Sequence, residues 1–412
     1  MRRADPTRLY FALSFLQAMS VGWVVLDLYL VRVLQLSPLQ LILMGTVMEA
    51  TIFVCEIPTG VVADTYSRRL SVIVGLLGTG AAVVGVGLSS AAWVAIGLWG
   101  FWGLFYTFKS GAYEAWIADE VGAANVGSLF LRGMRVRFAG SLAGLALCVA
   151  IGVWSLRAAV IVSGLIGLAA GVLCIVAMPE TGFRRHPRSG RWRALRTTAG
   201  NGVRFVRSQT LILLLVATEL FAGFGAEAFD RLTEAHVIRD VGIPPAIDPV
   251  LAFGAVSVVT MVFGFAAVTP VIRRVERGGT PVVARMLVVF TLATIAGQVA
   301  FALGRGFWFV MIVFLGALIA RSLLSPLYTT WLNGQITDSS VRATVLSISG
   351  QANAVGQATG GPALGVVGNA FGIPAALVAG ALTTIPAAAL YARALRHGGA
   401  EPEFAQLVAG EA

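Results

Sequence analysis

Apolar runs of roughly 20 residues recur from one end of this 412-residue chain to the other. At about 1.5 Å per residue each run is as long as a bilayer's hydrocarbon core is thick. Lipid offers no hydrogen-bond partners, so such runs must satisfy their own backbone groups, and a closed set of helices is the solution that continuous apolar stretches permit. Composition agrees: 57% of residues are hydrophobic, 12% are charged and the mean hydropathy is +0.84, whereas an ordinary soluble domain carries about 25% charged residues. The chain is expected to be an all-α membrane protein with no soluble domain left over for a second module.

Twelve runs are predicted, near 8–34, 38–63, 70–90, 92–118, 128–153, 156–178, 209–237, 248–272, 281–303, 306–335, 343–368 and 372–395. Alternating them from a cytoplasmic amino terminus puts Arg68, Arg69, Arg132, Arg135, Arg137, Arg273, Arg274, Arg277, Arg342, Arg393 and Arg396 on one side, as the positive-inside rule requires. Between positions 179 and 208 lie eight arginines, from Arg184 to Arg207, against the single acid Glu180. That stretch reads as a basic cytoplasmic linker dividing the spans six and six. The expected organisation is a six-helix bundle over 1–178, a linker over 179–208, and a second bundle with a short tail over 209–412. Both termini then lie inside, and the run after Met1-Arg2-Arg3 is expected to be a retained first span rather than a cleaved signal. The net charge of +10 is accounted for by this distribution, so no nucleic-acid partner is expected. Cys55, Cys148 and Cys174 lie singly in apolar runs, which predicts packing residues rather than a metal site or disulfide framework. His186, His236 and His397 fall in predicted loops or span ends. No serine has a nucleophile context, so neither an enzyme nor a cofactor is expected.

The two halves match weakly at an offset of about 203 to 216 residues: Gly22 and Asp27 with Gly225 and Asp230, Gly60 and Arg69 with Gly264 and Arg273, Tyr113 and Trp116 with Tyr328 and Trp331. Such repeats characterise transporters whose binding site lies between them. Three stretches are more specific. The first is Glu56-Ile57-Pro58-Thr59-Gly60-Val61-Val62-Ala63-Asp64-Thr65-Tyr66-Ser67-Arg68-Arg69, joining spans 2 and 3. The second runs from Ser110 to Glu120 at the end of span 4. The third leads from Arg342 into Gly356, Gly360, Gly361, Pro362 and Gly365 on span 11. Glycine, aspartate four residues on and a basic pair after four more resemble the loop after helix 2 in the major facilitator superfamily. The resemblance covers the whole chain and is strongest to bacterial drug-efflux-type members. It implies twelve transmembrane helices in two pseudo-symmetric six-helix bundles that work by alternating access, in a bacterial cytoplasmic membrane. Helix 5 lacks the proline that drug antiporters of the superfamily usually carry there.

The resemblance also implies a cytoplasmic gate at Gly60, Asp64, Arg68 and Arg69, with Glu56 nearby and the helix starting near Arg342 as its opposing surface. A plain turn with positive-inside anchors is the simpler alternative. The repeat has Val268 where Asp64 should match, so a gate would be asymmetric. Charges deep in the bilayer are costly and mark functional candidates. Lys109, the one lysine among 30 basic residues, lies roughly 15 Å from the end of span 4. Glu219 reaches a similar depth on span 7, Arg321 the middle of span 10, and Asp27 and Asp230 the outer parts of spans 1 and 7. In the superfamily the central cavity is lined mainly by helices 1, 4, 7 and 10, where these residues fall. Glu49 on span 2 and Glu114 on span 4 complete the candidate substrate or proton site. Fixed interhelical ion pairs are the alternative. Glu227 and Glu234 are expected at a wet outer end of span 7. Gly140 and Gly144, and Gly356, Gly360, Gly361 and Pro362, form small-residue stripes for close helix packing. Trp99, Trp102, Phe105, Tyr106, Phe108 and Tyr113 crowd span 4 and fit either an apolar cavity or, more commonly, lipid contact and core packing.

The expected function is proton-coupled export of a small apolar or cationic compound by a monomer in the lipid bilayer. A facilitator or symporter for a small polar metabolite is the alternative, and a non-transporting membrane sensor is a third.

Overall fold

The computed structural model describes residues 5–20, 22–183, 200, 202–336 and 339–397. Twelve spans follow one another among them. These are α1 (Pro6–Arg32), α2 (Pro38–Thr65), α3 (Arg68–Leu88), α4 (Ala92–Lys109 continued by Ala112–Val121), α5 (Ala123–Gly152) and α6 (Leu156–Ala177). After them come α7 (Thr210–His236), α8 (Pro249–Val275), α9 (Arg277–Leu303), α10 (Phe307–Gln335), α11 (Ser339–Phe371) and α12 (Ile373–Arg396). Ten of them are apolar enough by length and hydropathy alone to cross a membrane. The other two, α4 and α11, are diluted by polar and aromatic side chains that serve the interior: Trp, Tyr and Lys109 on α4, and Gln351, Asn353 and Gln357 on α11. The protein is an all-α membrane protein of two pseudo-symmetric six-helix bundles. Most of the basic linker, residues 184–199 and 201 with His186, lies outside the described residues, as does the tail beyond 397.

The chain divides into two compact units, Met1–Ser189 with Pro245–Gly254, and Gly190–Pro244 with Ala255–Ala412. In the first, α1 packs on α5 and α6, α2 on α4, and α3 on α4 and α6. In the second, α7 packs on α11 and α12, and α11 on α12. The pairing of α7 with α11 and α12 repeats that of α1 with α5 and α6, six helices on. Small residues make the approach possible. A Cβ on Gly140 or Gly144 of α5 would meet the backbone of Phe15 or Met19 on α1. On α11, Gly356 and Gly360 lie in the same way against the backbone of Leu220 and Phe224 on α7, and Gly223 of α7 against Asn353.

The repeated Tyr–Trp pairs do matching jobs in the two cores. Tyr113 donates to the Tyr10 carbonyl of α1 at 2.7 Å and meets the Ser14 hydroxyl at 3.1 Å. Tyr328 donates to the Leu215 carbonyl of α7 at 3.2 Å and meets Ser349 at 2.6 Å. Trp116 and Trp331 are both buried, and each sits in the apolar cluster of its unit.

Several continuous spans expected from hydropathy are broken helices. The first consists of Pro6–Met19 and Trp23–Arg32, and the carbonyl of Ser20 freed at the break accepts from the Ser163 hydroxyl on α6. Span 4 breaks at Ser110 and Gly111, where Gly111 takes φ 70°, a conformation that costs a Cβ-bearing residue. Span 10 breaks at Leu323 and span 12 at Thr384. Hydropathy is blind to such breaks because side chains satisfy the freed backbone groups, from a neighbouring helix at the first and from the same helix at spans 10 and 12, where Ser322 donates to the Ile319 carbonyl and Thr384 to the Gly380 carbonyl. The expected loop after position 272 is instead helical: the chain turns only at Gly279, φ 59°, so Arg273, Arg274 and Arg277 stand on helix. The outer end of α7, expected to be wet, is buried. Glu227 is 1% exposed and lies 3.5 Å from Arg231 one turn on, which offsets the cost of removing its charge from water. His236, at the end of α7, is also buried, between Asp240 at 2.9 Å and the Phe301 carbonyl at 3.2 Å.

Candidate functional site

In the carboxy-terminal unit α7, α10, α11 and α12, with Thr291 of α9, line an open cavity of about 490 Å³. Its walls are polar to a degree that a packed apolar bundle does not need. Glu219, on α7, accepts from the Asn353 amide at 2.8 Å, and Asn353 in turn accepts from Gln357 one turn along α11 at 2.6 Å. The half-buried carboxylate is therefore held by a neutral amide, and among the described residues no cation lies within ion-pair distance of it. Arg321 lines the same cavity. It grips Asp230 of α7 through both guanidinium nitrogens, one of them at 2.7 Å from Oδ2. Two of the sequence candidates, Asp230 and Arg321, are thus brought together, and Glu219 stands apart from that pair in the same unit.

The amino-terminal unit answers with two smaller cavities that share Lys109 as a wall. Lys109 occupies the last turn of the first half of α4, where a cation complements the partial negative charge of the helix end. Arg321 ends the first half of α10 in the same way. Along one face of α4, Trp99, Trp102 and Tyr106 stack one helical turn apart, with ring centroids 5.3 and 5.2 Å apart. Trp23 of α1 meets the first two edge-on at 5.8 and 5.7 Å. The Lys109 ammonium lies 5.6 Å from the Tyr106 ring. Beyond it, in a cavity of about 150 Å³, Glu114 faces Arg137 of α5 at 4.0 Å.

A third constellation gathers at the end of this unit where α2 meets α3. The connection expected over positions 64–69 is shorter than that: α2 runs to Thr65, α3 starts at Arg68, and only Tyr66 and Ser67 turn. Gly60 lies inside α2 with open space where a Cβ would be, and Glu56 is exposed. Arg68 lies 3.6 Å from Asp64, pairs with Asp119 of α4 and donates to the Ala115 carbonyl at 2.7 Å. Arg69 donates to the Ile175 carbonyl of α6 at 2.7 Å. Glu180, just past α6, accepts from the Arg69 backbone at 3.0 Å and the Ser67 hydroxyl at 2.8 Å, a carboxylate at the positive start of α3. The three ends are tied by charge-assisted bonds, the stronger kind.

Asp27 and Glu49 are half-buried on α1 and α2 and have interactions of their own, and neither is brought to Lys109. The sequence reading passed over Asn353 and Gln357, although amides in an apolar run were a visible signal. It also passed over Asp119 and Glu180, which only the fold returns to the arginines.

A model of the Major Facilitator Superfamily matches residues 10–332. No curated protein matches. Among solved structures, a point mutant of a nucleoside transporter, NupG, superposes with a TM-score of 0.80 at 11% identity, covering 95% of this chain and all of its own. A bacterial homolog of the human lysosomal transporter Spinster, in an inward-facing and occupied conformation, gives 0.72 at 14% identity, over 95% of this chain and 98% of its own. A POT family transporter in complex with 5-aminolevulinic acid gives 0.70 at 13% identity, with 95% of each chain covered.

Proposed function

Because the chain belongs to the Major Facilitator Superfamily, we propose that it is a secondary transporter that carries a small polar metabolite by alternating access, with proton movement through Glu219 as the coupled step. The observation that carries this reading is the polar cavity of about 490 Å³ in the carboxy-terminal unit. A carboxylate lining it beside neutral amides is free to exchange a proton with whatever enters, whereas Asp230 is occupied by Arg321. Superfamily structures described as nucleoside and peptide-type transporters support a polar solute in the sense that the fold accommodates one. Export of an apolar or cationic compound is the second reading, favoured by the aromatic wall of Trp23, Trp99 and Trp102.

The orientation and the gate follow from the arginine distribution and the charged end of the first unit, and the bacterial membrane from the resemblance to bacterial members of the superfamily. The protein sits in a bacterial cytoplasmic membrane as a monomer with both termini inside. It has bundles over 1–178 and 209–412 and a basic linker over 179–208. Gly60, Asp64, Arg68 and Arg69 form a cytoplasmic gate element, which Asp119 and Glu180 tie to α4 and α6. Asp230 and Arg321 are a fixed link between α7 and α10. Uptake into proteoliposomes under an imposed pH gradient, comparing the protein with Glu219→Gln, tests the coupling step.

A further inference from the structure

The two units differ in how they treat their deep cations. In the carboxy-terminal unit Arg321 is neutralised internally by Asp230. Its counterpart at a half-helix end, Lys109, receives no such partner, although Asp27 occupies the position in the first repeat that Asp230 occupies in the second. Among the described residues Lys109 has a ring contact with Tyr106 and no ion pair. The cavity of about 150 Å³ beside it contains Glu114, which stands 4.0 Å from Arg137 and whose charge also acts on Lys109 without pairing with it. Its three ionic groups, Lys109, Arg137 and Glu114, therefore sum to one uncompensated positive charge. A cation away from bulk water without a counter-charge costs several kcal/mol, and an entering anion removes that cost.

The backbone holds the ammonium in place for this. Gly75 of α3 lies against the backbone of Lys109 and the Phe105 carbonyl so closely that a Cβ there would collide with both. Gly78 meets the Phe105 ring in the same manner. The back of α4 is thus seated on α3, and Trp99, Trp102 and Lys109 line a small cavity whose other walls include Thr79, Gly80 and Val83 of α3. Trp99 is buried, but Tyr106 remains 36% exposed, so the wall is open to a ligand at its Lys109 end.

We propose that this face of the amino-terminal unit is a subsite for an organic anion that carries a flat aromatic ring, with its carboxylate on Lys109 and its ring along the Trp102–Tyr106 wall. The assignment rests on the transporter reading and narrows it to a substrate class. It also turns the second reading around, since the aromatic wall ends on an unpaired cation and disfavours a cationic guest.

The test is isothermal titration calorimetry of the full chain in detergent at neutral pH with three water-soluble probes: phenylacetate, its neutral isostere phenylacetamide, and the saturated anion cyclohexylacetate. Phenylacetate is expected to bind about tenfold or more tighter than phenylacetamide, as a charge-assisted contact implies, and tighter than cyclohexylacetate. Lys109→Gln should abolish the preference for acid over amide, and Lys109→Arg, which retains the charge and reports on folding, should keep it. Equal binding of acid and amide, no binding of phenylacetate, or an undiminished preference in Lys109→Gln would overturn the proposal. Glu219→Gln separates the two levels of inference. It should lose pH-driven transport and keep the anion preference, so loss of the preference in Lys109→Gln alone speaks to the subsite and loss of coupling in Glu219→Gln alone to the transporter reading.

Discussion

Asp230 and Arg321 are joined by two guanidinium–carboxylate bonds, with side-chain exposures of 38% and 32%. A fixed link should show its strength in a double-mutant cycle of Arg321→Gln and Asp230→Asn. Stripping one partner from a fully buried pair costs about 3–5 kcal/mol, and an exposed pair contributes about 0–1 kcal/mol. With each side chain about one-third exposed, either single substitution should destabilise the protein by about 2 kcal/mol, roughly 30-fold in the unfolding equilibrium. The double substitution removes both charges together and leaves no unpaired ion, so it should cost little more than either single change, giving a coupling energy of about 2 kcal/mol. Reversible unfolding in mixed detergent and SDS micelles, followed by circular dichroism, measures each corner of the cycle. Additivity of the two single effects to within about 0.5 kcal/mol would refute the claim that this pair links α7 to α10.

Two further outcomes are expected in the same assay. Gly144→Ala places a methyl group against the Met19 backbone and should destabilise by about 1–3 kcal/mol, whereas Gly97→Ala, with open space around it, should be neutral or stabilising by up to about 1 kcal/mol. Ser67→Ala removes both the cap on the Leu70 N–H and a bond to Glu180 and should cost about 1 kcal/mol; an unchanged unfolding midpoint would mean that Ser67 does not hold the start of α3.

The twelve spans were legible because hydrophobic length is a property of the chain alone. The two too polar for a simple hydropathy criterion, α4 and α11, were still visible as apolar runs over 92–118 and 343–368. The breaks at Ser20, Ser110, Leu323 and Thr384 were not, because a broken membrane helix is made tolerable by side chains that hydropathy does not see: the hydroxyl that serves the break at Ser20 comes from Ser163, 143 residues beyond that carbonyl. The same limit applied to charges. Depth along a helix singled out Lys109, Glu219 and Arg321, but which acid meets which base depends on helix rotation. Asp230 reached Arg321 while Asp27, its counterpart in the repeat, did not reach Lys109. Arg68 and Arg69 were recognisable from their spacing, whereas their partners Asp119 and Glu180 come from helix ends 51 and 111 residues away. Local pattern carried the repeat itself: the Tyr113 and Tyr328 hydroxyls reach the first helix of each unit.

The central claim is that a solute is moved by a pH gradient through Glu219. Purified protein and the Glu219→Gln variant, reconstituted at equal density, are compared for accumulation of radiolabelled polar metabolites in proteoliposomes with and without an imposed pH gradient. The account predicts gradient-driven accumulation by the unaltered protein. It predicts that the variant still equilibrates and exchanges the same solute but no longer concentrates it. Concentrative uptake by Glu219→Gln equal to that of the unaltered protein would contradict the account.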